Sequence, residues 1–489
     1  MGDPVEVELK LEYAPADRAR LLASPLLQAA PAKARHLVAT YFDTPDCRLD
    51  KAGYALRVRS DGSRHVQTLK ASARAGAGLF VRGEWERDVP DNQPILDEQS
   101  GPLLQSVDAA ALARIAPVFT TDVERIAGPI EHDGSLVEYA VDSGEVRAGR
   151  RKTLLSEIEL ELQLGSPQAL FELARGLNED VPLRLGVQSK SARGYALLRG
   201  AAQRAFKAEP IILDPDQGAG EAFAIIAASC IRHYRLNEPM LLDDGPVEAI
   251  HQARVALRRL RSTFALFAPL FEGDDRARVF AAELRWLAGE LGTIRDIDVL
   301  LPLLDPAARQ TLAAIRERQF VHLRGLLDSG RVRLLPIELA EWLAIGGWRT
   351  QPADPKLCAR PIHRFAARRL DRLRRRIKRN GSGLRHLDDS HRHDIRKSAK
   401  KLRYASEFFV SLYPGKKAGR RRDRFLDRLE ALQEKLGELN DLASAPALLA
   451  RFDLEASLPA PGPNRRARLL DKAEDCFEAL TDSKTFWKA

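Results

Sequence analysis

The sequence predicts two unlike parts in series. Antiparallel β structure with a few helices, a barrel or a sandwich, occupies roughly the first 200 residues, and an all-α bundle built by duplication follows. Period-2 alternation of apolar and polar residues, punctuated by turn signals, fills residues 5–200. After the Pro210–Gly220 stretch the pattern changes to long helical periodicity rich in Leu, Ala and Arg. Two blocks then recur in the same order. His251-Gln-Ala-Arg254-Val-Ala-Leu-Arg258-Arg259-Leu260-Arg261 returns after 142 residues as His393-Asp-Ile-Arg396-Lys-Ser-Ala-Lys400-Lys401-Leu402-Arg403. Leu291-Gly292-Thr-Ile-Arg-Asp296 returns after 145 as Leu436-Gly437-Glu-Leu-Asn-Asp441. Two separated blocks repeated in order mark a duplicated unit, which packs most simply as one pseudo-symmetric bundle.

Strands are expected near 5–12, 36–43, 54–60, 64–71, 79–89, 136–147 and 154–164, with helices near 15–29, 108–115 and 167–177. Thr44-Pro45-Asp46, Ser60-Asp61-Gly62-Ser63 and Ala75-Gly76-Ala77-Gly78 supply turns between them. A chain of 489 residues exceeds one ordinary core. The expected division is 3–203 for the β part, 204–218 for a linker and 219–489 for the helical part. Gly346-Gly347 with Pro352, Pro355 and Pro361 splits the last into halves at about 219–345 and 360–489. The four cysteines (Cys47, Cys230, Cys358, Cys476) lie far apart without metal-ligand spacing. There is no long apolar run, and the first residues carry no basic-then-apolar leader. A cytoplasmic protein without disulfides or a zinc site is therefore expected.

Charge separates along the chain. Residues 1–205 hold 26 Lys and Arg against 29 Asp and Glu, while the remainder holds 51 against 39. The positive excess thus belongs to the helical part and predicts an anionic partner there. In the β part, charges come at strand spacing. Glu6, Glu8 and Lys10 share one face of a strand, as do Glu157, Glu159 and Glu161 on another. Between them lie Arg57 and Arg59, Lys70, and Arg82 with Glu84 and Glu86; Arg125, Asp142 and Glu145 add more. Any one of these reads as a solvent-facing residue. Together they describe a polar sheet face crowded with both signs, wet on the outside or closed around a charged tunnel. Neighbouring carboxylate strands need a cation between them, so the pattern suits a divalent metal and a polyanion. No Ser/His/Asp triad, P-loop or Rossmann glycine pattern competes.

In a helix, His251, Arg254, Arg258 and Arg261 share one stripe, as do His393, Arg396, Lys400 and Arg403. A solvated helix face needs no fixed spacing, whereas a stripe kept through a duplication does; two such stripes facing each other would grip phosphate oxygens. Arg364 to Arg379 is denser in positive charge, and Lys416-Lys417 with Arg420-Arg421-Arg422 forms a shorter run. Aromatic residues are not interleaved with these runs, which argues against base stacking and hence against single-stranded nucleic acid; nucleic-acid association ranks well below the other readings.

Glu6-x-Glu8-x-Lys10, Tyr41-Phe-Asp43-Thr-Pro45, Leu56-Arg57-Val-Arg59, Thr68-Leu-Lys70 and Arg82-x-Glu84-x-Glu86 are followed by Asp142-Ser-Gly144-Glu145 and Glu157-x-Glu159-x-Glu161. Ser189-Lys190-Ser-Ala-Arg193-Gly194-Tyr195 closes the series. In this order, over about residues 3–200, the motifs resemble the CYTH family of triphosphate tunnel metalloenzymes. Residues 219–489 resemble the CHAD domain, a duplicated helical domain associated with inorganic polyphosphate binding. The order of the two is similar to that of bacterial inorganic triphosphatases.

The resemblance implies an α+β fold whose antiparallel β-barrel forms a triphosphate tunnel, followed by an all-α duplicated helical bundle. It implies Mg²⁺ or Mn²⁺ held by Glu6, Glu8, Glu159 and Glu161, with Asp142 and Glu157 as further candidates. It implies triphosphate contacts from Lys10, Arg57, Arg59, Lys70, Arg82, Arg125 and Lys190, with Glu84 and Glu86 orienting those cations or lying near a second metal. Polyphosphate contacts would come from His251, Arg254, Arg258, Arg261, His393, Arg396, Lys400 and Arg403. The expected function is metal-dependent hydrolysis of inorganic triphosphate to pyrophosphate and phosphate, near polyphosphate granules. Thiamine triphosphate hydrolysis, cyclisation of ATP, or a mainly polyphosphate-binding protein are the alternatives.

Overall fold

The computed structural model describes residues 5–29, 31–71, 77–97, 100–200, 204–454 and 464–488. The turn expected at Ala75–Gly78 falls partly outside them, as do 3–4 and 201–203 of the expected first domain. The chain forms two compact units. One comprises residues 1–206 with 326–346, and the other 207–325 with 347–489. Residues 326–346, counted by sequence in the first helical half, thus belong to the first unit.

That unit is built on β1 (Val5–Glu12), β2 (Lys33–Asp43), β3 (Tyr54–Ser60), β4 (His65–Ala71), β5 (Leu79–Val89), β6 (Ala116–His132), β7 (Ser135–Ala148), β8 (Arg151–Leu164) and the two-residue β9 (Arg184–Leu185). The strand order is β5-β4-β3-β2-β6-β7-β8-β1-β9, and β5 also pairs with β1. That last pairing closes eight antiparallel strands into a barrel and removes the edges an open sheet would expose. Alternation puts one face of each strand inside. The other face is buried by helices and loops, as where Phe42, Leu56, Val58, Leu69 and Val89 pack with Leu103, Val107 and Leu112.

The seven expected strands are present within a few residues. β6, at 17 residues one of the longest, was not expected. Its Pro117 and Gly128-Pro129 read as breaks, yet both prolines sit where the strand has one neighbour. β7 pairs with β6 only from Thr120, and β2 only as far as Ala127. A proline at such a place removes no ladder bond. The helix expected over 15–29 is three short pieces, Pro15–Asp17, Arg18–Leu22 and Pro25–Gln28, since Pro25 cannot continue a helix.

The helix Lys190–Leu198 fills one end of the barrel. Its Tyr195 and Leu197 pack with Ala39, Tyr41, Phe119, Val146 and Ala148. Asp43 ties it there: buried, it accepts from the backbone of Thr44, Leu49 and Asp50 and from Tyr195 Oη at 2.7 Å. Gly330–Ile345 packs on the helix Gln168–Asp180 and on β9, held by Arg184 donating to Leu327 O at 3.0 Å and by the Arg175–Glu341 pair at 3.1 Å.

The second unit is helical. Ala219–Leu242, Val247–Phe267 and Asp275–Leu300 recur in pattern as Ile362–Asn380, Asp389–Phe408 and Lys416–Ala450. Aromatic side chains join the copies, with Phe267 stacked on Phe365 at 4.7 Å and against Phe409 at 6.3 Å, while Phe223 packs on Phe264 and Phe267 within the first copy. Among the described residues, no helix is long and apolar enough to cross a membrane.

Candidate functional site

Strand register alone brings the charged rows together. Glu8 sits opposite Glu161, Lys10 opposite Glu159 and Glu12 opposite Glu157. Glu6 faces Arg82, Lys70 faces Glu84 and Thr68 faces Glu86, Arg57 lies beside Thr68, and Arg125 lies beside Asp142. Paired residues share a face, so these rows lie together on the inner face of the barrel, which encloses a cavity of about 820 Å³. Lys10, Arg57, Arg59, Lys70, Arg82, Glu84, Arg125 and Lys190 all line it, with Glu6, Glu86, Glu159 and Glu161. Glu8, Asp142 and Glu157 lie behind that lining, buried. Glu145 alternates to the other face of β7 and pairs with Arg147 and Lys152.

At the plugged end four carboxylates meet three cations. Lys190 Nζ lies 2.7 Å from Asp142 Oδ2, 2.5 Å from Glu157 Oε1 and 2.7 Å from Glu159 Oε1. Lys10 Nζ lies 2.8 Å from Glu157 Oε1, pairs with Glu159, and is 3.3 Å from Glu8 Oε1. Arg125 clamps Asp142 through two bonds of 2.7 and 2.6 Å and reaches Glu159 at 2.7 Å. Burial opposes every charge here, but the pairing wins. Lys10 is held well above the ordinary lysine value because Glu157, Glu159 and Glu8 outweigh its burial. Glu159 is held well below the carboxylate range because Lys10, Lys190 and Arg125 outweigh its own. Gly186 lets this end close: its N–H donates to Lys10 O at 2.8 Å, and a Cβ there would lie 2.7 Å from Lys10 Cγ.

Further along, Glu6 receives Lys70 Nζ at 3.0 and 3.1 Å and Arg82 Nε at 3.0 Å, while Glu84 holds Lys70 at 3.0 Å. Glu86 accepts from Thr68 Oγ1 at 2.8 Å and lies 3.7 Å from Arg59. Here carboxylate is in surplus. Burial, then Glu6, pushes Glu161 up to about 7. Glu157 Oε2 is buried without a hydrogen-bond donor, and Glu8 Oε1, though 3.3 Å from Lys10 Nζ, accepts no hydrogen bond. Surplus oxygen donors and orphaned carboxylate atoms on facing strands fit a hard divalent cation. The carboxylates of Asp142, Glu157 and Glu159 come within 4.8 Å of one another and offer further oxygens. Opposite, burial works against Arg57, yet Tyr41, Glu84 and Glu86 hold its guanidinium above the ordinary arginine value, while its Nε is buried without a hydrogen-bond partner. Arg59 is lowered by burial and by Arg57, which outweigh Glu86.

In the helical unit the two stripes meet. Burial, then Arg258, Arg396 and Arg254, lowers Lys400 to about 7, with Asp441 the opposing charge. Arg258 Nε and Arg396 Nε are buried without hydrogen-bond partners. Arg254 donates to Ala288 O at 3.2 Å and lies 3.9 Å from Asp296. A Cβ on Gly292 would lie 2.0 Å from its Nη1, whereas one on Gly437, the matching position of the repeat, would meet nothing within 4 Å. His251 is lowered by burial and by Arg295, and His393 Nδ1 is 2.7 Å from Asn440 Oδ1. Arg261 is lowered by burial and Arg285. Arg403 differs from the rest of the stripe, being paired with Glu407 at 3.0 Å and Glu430 at 3.3 Å.

Residues 5–195 match the CYTH domain family and residues 225–450 match the CHAD domain family. The chain joins a CYTH domain to a CHAD domain. The inorganic triphosphatase of Haemophilus influenzae is 31% identical over 163 residues, which is 32% of this chain and 45% of that protein. The chain therefore spans about half the length of the curated relative it matches. Among solved structures, the CHAD domain from Ricinus communis is 27% identical with a TM-score of 0.48, covering 58% of this chain and 99% of its own. A candidate adenylyl cyclase from Hippeastrum, described as having a dominant triphosphatase activity, is 19% identical with a TM-score of 0.28, covering 40% and 96%. One from Bacillus halodurans is 18% identical with a TM-score of 0.29, covering 40% and 98%.

Several residues of the CYTH cavity escaped the sequence reading. Lys33, Arg35, Arg64 and Glu138 line it. The signal for the first two was available, since Lys33, Arg35 and Leu37 alternate, but β2 was expected to begin only at 36.

Proposed function

We propose that the CYTH domain hydrolyses inorganic triphosphate to pyrophosphate and phosphate with Mg²⁺ or Mn²⁺, and that the CHAD domain binds inorganic polyphosphate. The observation that carries the first part is the closed barrel whose cavity brings a row of guanidinium and ammonium groups against carboxylates, one of which, Glu161, is pushed up to about 7. Arg57, Arg59, Lys70, Arg82 and Arg125 would hold and orient the phosphate chain, with Lys10 and Lys190 at the plugged end. Glu6, Glu8, Glu159 and Glu161 would hold the divalent cation. Asp142, clamped by Arg125 and Lys190, serves better to fix those cations in place, as Glu84 and Glu86 do for Lys70 and Arg59, while Glu157 holds Lys10 and Lys190 through one oxygen and keeps the other as a further candidate for the cation. When bound, the metal neutralises phosphate charge and lowers the pKa of a water for in-line attack.

The described lining supports an inorganic substrate over a nucleotide or thiamine ester. Tyr41 is its one aromatic, and the rest is charged, small or aliphatic, a surface that solvates phosphate and offers little to stack a ring. In the CHAD domain the orphaned Arg258 and Arg396 donors support an anionic ligand. The Haemophilus relative's name agrees with the first half of this reading. We place the protein in the cytoplasm beside polyphosphate, a compartment that suits its four free cysteines.

The test is phosphate release from triphosphate, ATP and thiamine triphosphate with Mg²⁺, Mn²⁺ or EDTA, for wild type and Glu6→Ala. Metal-dependent preference for triphosphate, lost in the variant, is expected. Equal turnover in EDTA, or an organic triphosphate preferred over the inorganic one, would overturn it.

A further inference from the structure

We infer that Lys33 and Arg35 form an outer phosphate subsite of the CYTH cavity, so that linear inorganic polyphosphate longer than three phosphates enters the barrel by its end and is held there. This rests on the triphosphatase reading and extends its substrate class. The inward row of β2 changes character along its length. Tyr41, beside Arg57, belongs to the cluster under the plugging helix, whereas Arg35 sits opposite Arg125, and Lys33 lies two residues further out. Both line the cavity, and both side chains are exposed. The two positions span about 7 Å of strand beyond the inner cations, enough to continue a phosphate chain outward.

The surroundings favour a phosphate there. Arg64, on the same rim, is committed to Asp88 at 2.5 and 2.9 Å. Lys33 and Arg35 have no ion pair among the described residues; the nearby opposing charge is Asp61, which Arg35 helps to lower after that carboxylate's backbone hydrogen bonds to Ser63 and Arg64. Glu138 also lines the rim, but on β7, where it sits opposite Glu161. The rim therefore has a cationic side on β2 that continues the row of Arg125, and an acidic side on β7 and β8.

Direction follows from the plug. Because the helix Lys190–Leu198 fills the inner end, a chain can enter only from the rim and only by a terminus. Cleavage inside then adds water across one terminal anhydride. The water oxygen bonds to phosphorus, the bridging P–O bond breaks, and a chain of n phosphates yields orthophosphate and a chain of n − 1, with protons passing to solvent.

The experiment uses the full chain and compares kcat/KM for linear tetraphosphate and triphosphate in wild type and in Lys33→Gln/Arg35→Gln. We expect the tetraphosphate-to-triphosphate ratio to fall about fivefold to tenfold in the variant, through KM, as for two solvent-screened charges. Cyclic trimetaphosphate, which has no end, is expected to resist wild type. An unchanged ratio with triphosphate still turned over, or equal losses on both substrates, would overturn the subsite. Hydrolysis of the ring would overturn end-on admission. Turnover of neither linear substrate by wild type would instead sink the triphosphatase reading itself.

Discussion

The proposed binding of polyphosphate by the CHAD domain is expected, through Lys400, to depend on pH in a range where phosphate chains themselves hardly titrate. The Lys400 ammonium is lowered to about 7 by burial, by Arg258 and Arg254 from the helix Val247–Phe267, and by Arg396 on its own helix, against Asp441 from Lys416–Ala450. The sign follows from linkage. A depressed lysine is protonated below its pKa and neutral above it, and an anion seated among these groups favours the charged form, so binding must take up a proton above pH 7. With a free-state pKa of about 7 and full protonation in the complex, affinity falls by up to about 15-fold between pH 7 and pH 8.5. The assay is a titration of long-chain polyphosphate, whose interior groups stay ionised, at fixed ionic strength, since salt alone changes such affinities. Lys401 is also lowered, by burial and Arg376, so the control is Lys400→Arg, which keeps the charge and removes the titration. The slope should collapse in that variant while binding at pH 7 is kept. A flat wild-type profile, or a slope that survives Lys400→Arg, would refute the reasoning.

Other outcomes follow from the same geometry. Lys190→Met leaves Asp142, Glu157 and Glu159 one cation short in a buried site, and should weaken hydrogen-exchange protection of β7 and β8 by about 3–5 kcal/mol at pH 7 in EDTA. Asp142 and Glu159 are depressed in the native protein, so their stabilisation is present above pH 4 and lost below it; in the variant they rise, and the deficit should shrink as pH falls from 7 to about 5. Glu6→Ala should lower Mn²⁺ affinity by at least about 10–100-fold, the loss that even outer partners of metal sites cause, read by calorimetry with the fold checked by circular dichroism. Triphosphate should bind about 5–150-fold more weakly in EDTA, and Mn²⁺ should gain the same factor from triphosphate, because a phosphate that takes Lys70 and Arg82 frees Glu6. Arg184→Ala removes the bond to Leu327 O and the 2.9 Å pair with Asp328, and should raise proteolytic cleavage within 326–346 by loosening that helix about 1–2 kcal/mol.

What could be read from sequence was whatever local spacing encodes. Glu6-x-Glu8-x-Lys10 and Glu157-x-Glu159-x-Glu161 declare a shared face, and register then delivers them to one cavity. The stripes at 251–261 and 393–403 declare themselves by repetition. β6 stayed hidden because its prolines look like breaks until its neighbours are known, and those neighbours are nonlocal. The same holds for 326–346. Its periodicity is helical wherever it packs, and partners more than a hundred residues away, Arg175, Arg184 and Asn178 among them, draw it to the barrel unit. Which carboxylates are left over was likewise beyond spacing. Asp142 and Glu161 look alike in sequence, yet one is saturated by Arg125 and Lys190 and the other is pushed up to about 7.

The contrast between the two sites follows from how each is assembled. A barrel sets unlike strands side by side, so an acidic row can neighbour a cationic one, and Glu6 finds Arg82 and Lys70 before any ligand arrives. Substrate must displace carboxylate from those cations, a loss that is recovered only if the released carboxylate meets a cation of its own. Specific hydrolysis of a metal-bound polyanion suits such a site, because neither partner alone satisfies it. A duplicated helix pair sets like beside like. Arg258 meets Lys400 and Arg396 because both stripes descend from one pattern, and no register can pair positive with positive. Self-repulsion between the stripes is therefore a consequence of the duplication itself. An extended anion relieves it at several points at once, without exchanging partners and without a metal, which is what a tether for a long uniform chain requires.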